Sequence, residues 1–442
     1  MIDAAVKHIT APTEVHETLK RYMLADGFSI VLDVERSHGV TVFDSRHNES
    51  YLDLFSFFAS QPIGHNHPRV MNDDFVRAIG RIATCKPTNS DLYTQSMADF
   101  VRTFAEVCIP ATHRSHLFFI EGGTLAVENA LKAAFDWKFR KNLAKGAPTT
   151  ENLEIIHFKQ AFHGRSGYAL SLTNTHDPRK FQYFPKFDWP RVTTPPIQFP
   201  VTPENRQKTL ALEAQSLAEI DKATRDRKDK IAAIIIETIQ GEGGDNHFRP
   251  EFLRALREIC DREEMLLIFD EVQSGMGLTG TWWAWEQLGV EPDIFAFGKK
   301  AQVCGIAANH RLDEVDSVFS VPSRINSTWG GNLVDMVRAQ RFIEIIRDEN
   351  LLENAKTMGA YIMGGLEKLA QETGKISNVR GRGLMIAFDL PNDGERNAVR
   401  KRLFDNKAII LPCGERSLRF RPVLDIDKSA ADRALDVIRR SV

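Results

Sequence analysis

Long hydrophobic runs are missing from this chain. The longest uninterrupted one, Ile231 to Ile236, falls far short of the ~20 residues a membrane-spanning helix requires, so no span is expected. An excess of one charge is missing too: 57 Lys and Arg stand against 59 Asp and Glu, a formal net charge of −2. Neutralising nucleic-acid phosphates takes a clear basic excess, so nucleic acid is not an expected partner. No polybasic tract marks a membrane surface. Cysteine is scarce. The five residues Cys85, Cys108, Cys260, Cys304 and Cys413 are odd in number, widely spaced and without CxxC pairs. That pattern favours free thiols in a reducing cytoplasm over a disulfide framework or a zinc site. The opening MIDAAVKHIT has no apolar stretch of the secretory-leader kind, which also points to the cytoplasm. Internal repeats and low-complexity stretches are absent.

What the 442 residues do contain is ordinary globular material, 43% hydrophobic and 26% charged. Short apolar runs alternate with longer helical patterns. The runs are His116–Ile120, Leu153–Phe158, Ile231–Ile236, Met265–Phe269 and Ile294–Phe297. Each has strand length and little polar alternation, as strands buried on both faces do. Helix spacing follows Gly123 and Pro250, so the order is strand–helix–strand and the expected class is α/β with a largely parallel sheet. Lys145 to Asn152 reads as a loop and Asp221 to Lys230 as a solvated, mixed-charge helix face. A second αβ region begins near Gly374, with strands near Leu384–Phe388 and Ala408–Leu411. The expected division is a large domain over 61–330 and a small domain over 331–442, with segment 1–60 packing on the small one.

In open parallel sheets, ligands bind at the carboxyl ends of the strands. Five of these ends carry chemistry. Glu121-Gly122-Gly123-Thr124 opens a helix and offers free N–H groups and a hydroxyl, an anion seat suited to phosphate; alone, it would pass for an ordinary turn. Phe162-His163-Gly164-Arg165 follows the second run, and Glu237-Thr238-Ile239-Gln240-Gly241-Glu242 the third. Asp270, ending a buried strand, needs a cationic partner unless it merely caps a helix. Glu271 beside it should point the other way, which weakens a paired-carboxylate hydrolase. Lys299 follows an apolar run and a glycine. A part-buried lysine there has a lowered pKa and acts as a nucleophilic amine, where an exposed one would be a bystander; Lys300 is expected to be exposed. Two patterns are set aside. Gly275 to Gly280 matches GxGxxG but does not directly follow a strand, and His65-Asn66-His67 lacks acids at ligand spacing, so no metal is expected. Trp282, Trp283 and Trp285 read as packing.

Gly-Gly-Thr, an aromatic–His pair, a buried Asp and then a Lys together resemble the fold type I pyridoxal-phosphate enzymes. IFDEVQSGMGLTG followed by PDIFAFGKK is similar to the class III (ω) aminotransferases over about Tyr51 to Leu424. EGGTLAVENALKAAFDWK, FHGRSGYALSLTNT, KFDWPR, QGEGGDNHFRPEF, FGKKAQVCG and NSTWGGN resemble the branch acting on the ε-amino group of L-lysine. The 4-aminobutyrate and ornithine branches share some of these segments. Thr238 stands where the family often has Pro, and Val423 where a second Pro often follows the substrate arginine.

The resemblance implies a large domain with a mostly parallel sheet plus a smaller α/β domain, working as a homodimer with active sites at the interface. It implies pyridoxal 5'-phosphate as cofactor. Lys299 would form the Schiff base and Asp270 pair with the pyridinium nitrogen. Phe162 and Val272 would flank the ring, Gln273 would meet its hydroxyl, and Gly123 and Thr124 would hold the phosphate with Thr328 of a neighbouring subunit. His163 is taken as a packing neighbour. Arg419 would bind the oxo acid's α-carboxylate, Glu242 neutralise that arginine when no acid is bound, and Arg165 hold the distal carboxylate. Asn326 and Ser327 would help select lysine's α-amino group. The implied reaction is ping-pong transfer from L-lysine to 2-oxoglutarate, with 4-aminobutyrate or ornithine as the alternative amine donor and a non-catalytic cofactor-binding dimer as the remote one.

Overall fold

The computed structural model describes residues 10–147 and 152–442. The first nine residues and positions 148–151 of the expected Lys145–Asn152 loop lie outside it. Three sheets organise the chain. The first begins with β1 (Leu32–His38), β2 (Thr41–Asp44) and β3 (Glu49–Asp53). The central sheet holds β4 (His116–Ile120), β5 (Glu154–Phe158), β6 (Arg191–Val192), β7 (Ile231–Glu237), β8 (Leu266–Asp270), β9 (Ile294–Phe297) and β10 (Cys304–Ala308). The third holds β11 (Ser377–Arg382), β12 (Met385–Asp389), β14 (Leu411–Cys413) and β15 (Ser417–Phe420); the two-residue β13 (Ala408–Ile409) returns to the first sheet.

The central order is β4-β10-β9-β8-β7-β5-β6, and only β10 runs against its neighbours. Strands β7, β8 and β9 are buried at every residue. Their side chains alternate between two cores. Ile234, Ile236, Phe269, Phe295 and Phe297 enter one, with Trp283; Ile235, Ile268, Ile294 and Ala296 enter the other, beneath helix Gly123–Ala144. Burial on both faces is why these segments read as continuous apolar runs instead of alternating ones.

Pairing across β7, β8 and β9 sets Glu237 opposite Asp270 and Asp270 opposite Ala296. The carboxyl ends of three strands therefore finish level, and two carboxylates stand side by side there. The third sheet reaches the same edge from elsewhere. Its β15 pairs antiparallel with β12 and β14, setting Arg419 opposite Ala387 and Leu411. The first sheet is closed by β13 running parallel to β3, with Ala408 opposite Leu52. That pairing ties the N-terminal strands to the C-terminal region.

Gly275 to Gly280 forms a buried turn, and no helix starts in it. Gly277 has φ +90° there, and a Cβ would meet the Leu424 side chain at 2.8 Å. These glycines thus serve close packing. Among the described residues, no helix is long and apolar enough to cross a membrane. All five cysteines are free.

Trp283 is fully buried against Phe104, Phe295 and Phe297, and its indole N–H donates to Cys108 O at 2.6 Å. Trp283→Ala should cost about 3–5 kcal/mol through cavity formation and an unpaired carbonyl. Urea unfolding followed by circular dichroism checks this, and an unchanged midpoint would contradict the packing described.

Candidate active site

A cavity of about 340 Å³ opens where β4, β5, β7, β8 and β9 end. Gly123, Thr124, Phe162, Arg165, Asp270, Val272, Gln273 and Lys299 all line it, so eight of the sequence-nominated residues meet at one place. A larger cleft of about 710 Å³ lies elsewhere, lined by Phe135, Tyr168, Phe187 and Trp189. Among the described residues its lining includes no lysine, so volume alone does not locate the chemistry.

The anion seat is built by backbone. Helix Gly123–Ala144 starts after Gly122 at φ +104°, and no side chain caps it. Its first N–H groups are left for a ligand, with the positive end of the helix dipole behind them. Thr124 Oγ1 lies 3.0 Å from Ser166 Oγ, which donates to Glu128 at 3.1 Å. Gly164 has φ +134°, and a Cβ there would sit 2.0 Å from Thr124 Oγ1. Only glycine lets the two loops close to this distance.

Asp270 Oδ2 lies 2.8 Å from His163 Nδ1, both groups buried, while Asp270 Oδ1 accepts the Val272 N–H at 3.0 Å. His163 is therefore the carboxylate's hydrogen-bond partner, a correction to its assignment as a packing neighbour. The aromatic–His pair hid this because the contact spans 107 positions in sequence. Glu271 turns away, as adjacent strand positions must. It accepts from Thr238 Oγ1 at 2.6 Å, Ser274 Oγ at 2.7 Å and the Ala284 and Trp285 N–H groups at 3.0 and 2.9 Å. The threonine standing in place of proline thus contributes a hydroxyl to a buried carboxylate.

Glu237, level with Asp270, also lines the cavity. It accepts from the N–H groups of Phe162 at 2.9 Å and Gly241 at 3.0 Å. Burial pushes its pKa up to about 7. No site role was assigned to it from sequence, although its place at the end of a buried strand carried the same signal as Asp270.

Lys299 follows the extended Gly298 and enters the left-handed region at φ +50°. Gln302 supports that turn, its amide nitrogen donating to Ser60 O at 2.6 Å and Lys299 O at 3.2 Å. Burial first, and then the positive charges of Arg419 and Arg421, bring the Lys299 pKa down to about 8. Lys300 corrects a second expectation. It is 2% exposed, not solvated, and donates to Gln61 O at 2.6 Å and Pro422 O at 3.2 Å. The two adjacent lysines are both buried, but only Lys299 lines the cavity.

Arg419 donates to Glu242 at 2.9 Å. Arg421, 1% exposed, lies two residues on, just past the end of β15, pairing with both oxygens of Asp245 and donating to Gln273 Oε1 at 3.0 Å. Period-two spacing in SLRFRPVL could have revealed it. Glu242 also contacts Lys180, from an irregular segment no sequence pattern marked. Desolvation opposes ionisation of Glu242, yet Arg419 and Lys180 hold its pKa below the ordinary value.

Thr328 and Asn326 are exposed, and Ser327 is half-buried; none lines this cavity within the chain. Ser90 Oγ anchors their segment, donating to Ser327 O at 2.6 Å. His65 and His67 contact Asp53 and Glu349 separately.

An uncapped helix start, a carboxylate held by histidine and a buried amine of lowered pKa share one cavity, a donor set that fits pyridoxal phosphate. The chain belongs to the class-III aminotransferases: the family's sequence pattern matches residues 22–442. These are pyridoxal-phosphate-dependent enzymes, and this chain is one of them. It is 50% identical over 437 residues to an L-lysine-epsilon aminotransferase of Mycobacterium tuberculosis, covering 98% of this chain and 96% of that one. A solved structure of the lysine aminotransferase from M. tuberculosis superposes with TM-score 0.95 at 49% identity, covering 98% and 99% of the two chains. The mitochondrial 4-aminobutyrate aminotransferase of Homo sapiens is 32% identical, covering 93% of this chain and 84% of that one.

The lowered pKa has a kinetic signature. A neutral amine is the nucleophile, so the rate at which apoenzyme recombines with pyridoxal phosphate should rise with pH, with a midpoint near 8. Arg419→Met, by removing a positive charge, should move that midpoint upward. A wild-type midpoint near the ordinary lysine value would contradict the geometry.

Proposed function

We propose that this protein transfers the ε-amino group of L-lysine to 2-oxoglutarate, giving 2-aminoadipate 6-semialdehyde and L-glutamate in two successive half-reactions. The observation that carries the proposal is the pairing of Glu242 with Arg419, whose guanidinium also reaches Gln273 of the cavity wall at 3.4 Å and whose charge acts on Lys299. A pocket that alternates between an amine end and a dicarboxylate needs a guanidinium that stays cationic, paired with a carboxylate of the chain in one half and free to bind the substrate's carboxylate in the other. The L-lysine-epsilon aminotransferases at 48–50% identity support this choice of amine.

Pyridoxal phosphate, when bound, supplies an aldehyde that condenses with amines and a ring that withdraws electrons from the neighbouring carbon. The chain's residues then have distinct tasks. Gly123 and Thr124 hold the phosphate at the helix start. Phe162 and Val272 confine the ring between them. Asp270, itself oriented by His163, keeps a proton on the ring nitrogen. Gln273 has its amide oxygen engaged by Arg421, so its NH₂ is the end available to the ring hydroxyl. Lys299 takes a proton from the amine-bearing carbon of the substrate and returns it, which an amine with a pKa near 8 can do in both directions. Arg165, exposed at the rim, receives lysine's α-carboxylate or the γ-carboxylate of 2-oxoglutarate. Arg419 receives the α-carboxylate of 2-oxoglutarate once Glu242 withdraws.

We read the working unit as a homodimer, with Thr328 of the neighbouring subunit completing the phosphate site and its Asn326 and Ser327 reaching the substrate. Exposed Leu92 and Tyr93, next to the Ser90 that anchors this segment, support such a contact. Five unpaired thiols fit a reducing cytoplasm.

The test is a half-reaction. L-lysine, L-ornithine and 4-aminobutyrate are added separately to holoenzyme without oxo acid, and the cofactor absorbance is followed. L-lysine should convert it at least about tenfold faster than either rival, because polar groups shaped for one substrate are left unpaired by the others. Faster conversion by 4-aminobutyrate or ornithine would overturn the substrate while leaving the class intact.

A further inference from the structure

Glu242 has two cations, and the reaction as described uses only one. Arg419 holds one carboxylate oxygen at 2.9 Å, and the ammonium of Lys180 contacts the other. Lys180 comes from a different element, the short turn Pro178–Lys180 that follows helix Gly167–Leu172. Its local geometry turns it inward. Asp177 caps the turn through Arg179 N–H at 3.2 Å and binds the Arg179 guanidinium at 2.8 and 3.0 Å, which keeps Arg179 outside. Arg179 is largely exposed, whereas Lys180 is about three-quarters covered. The Lys180 ammonium also lies 5.9 Å from the centre of the Phe162 ring, at the cavity wall.

We propose that Lys180 is the second seat of the Glu242 carboxylate, a positioning residue that determines how readily the pocket admits the oxo acid. The proposal rests on the functional reading above, in which Glu242 must leave Arg419 before a dicarboxylate binds. A part-buried carboxylate that gave up its only cation would be stranded, and breaking such a pair is costly. With Lys180 on its other oxygen, Glu242 keeps a charge partner throughout. Arg419 is then released to the incoming α-carboxylate without leaving an uncompensated anion in the pocket. In the amine half-reaction Glu242 stays bridged between both cations, and Lys180 has no such task. Its effect therefore falls on one half-reaction.

The experiment compares wild type, Lys180→Met and Lys180→Arg as holoenzymes. Each half-reaction is measured by itself: amine donor with the pyridoxal form, and 2-oxoglutarate with the pyridoxamine form. Melting temperature and cofactor absorbance of each variant establish that it folds and loads. In Lys180→Met the KM for 2-oxoglutarate, divided by that for the amine, should rise by about tenfold or more, as expected from the loss of one close charge partner. Lys180→Arg should return the ratio to within about threefold of wild type, because a guanidinium can hold the same oxygen. An unchanged ratio in Lys180→Met would overturn the proposal, and so would an equal loss in both halves, which marks a structural or shared binding role. The amine used is whichever one the wild type converts fastest. A wild type preferring 4-aminobutyrate or ornithine sinks the lysine assignment alone, while the ratio still decides the role of Lys180.

Discussion

Arg421 and Asp245 form a buried, two-pronged ion pair on which the rest of the site depends. Both side chains are essentially without solvent contact, and both carboxylate oxygens are engaged. Asp245 lies in the turn after β7, and Arg421 follows β15. The pair therefore clamps the third sheet to the carboxyl edge of the central one. Arg380 reinforces the joint by donating to the carbonyls of Gly244 and Asp245. Removing one partner of a buried pair typically costs about 3–5 kcal/mol because the other charge is left uncompensated. Here it would also release the strand that carries Arg419.

From this clamp follow the electrostatics of the cavity. The guanidiniums of Arg419 on β15 and of Arg421 just beyond it act on Lys299 in the turn after β9, and their charge adds to burial in lowering its pKa. Opposing carboxylates balance the region. Asp270 is tied to His163, Glu237 to two backbone N–H groups, and Glu242 to Arg419 and Lys180. The amine is kept reactive by a charge pattern drawn from two sheets. Lys300, one residue further on, is equally buried but spends its donors on the carbonyls of Gln61 and Pro422. It fastens the loop to the N-terminal segment and to the chain after β15, and takes no part in the cavity.

Much of this was legible in the sequence, for a physical reason. Parallel strands buried on both faces read as unbroken apolar runs, so β4 and β9 coincide with the runs His116–Ile120 and Ile294–Phe297. The residue after each run then marks the ligand-binding edge, which is how Asp270 and Lys299 stood out. What escaped depends on contacts between distant segments. The His163–Asp270 hydrogen bond, the burial of Lys300 and the pairing of β13 with β3 all join residues more than a hundred positions apart. Lys180 escaped because an irregular turn has no periodicity to betray which side chain faces inward. Four successive left-handed residues, Ser56 to Ala59, were equally invisible, since no glycine announces them.

The most direct measurement concerns which amine carries the cofactor. Purified holoenzyme is reduced with borohydride, digested, and the pyridoxyl label located by mass spectrometry. Label confined to Lys299 is the expected result, with Lys300 unmodified in the same peptide. Label on Lys300, or shared between the two, would contradict the division of roles between a reactive amine shaped by Arg419 and Arg421 and a neighbour that holds the loop in place.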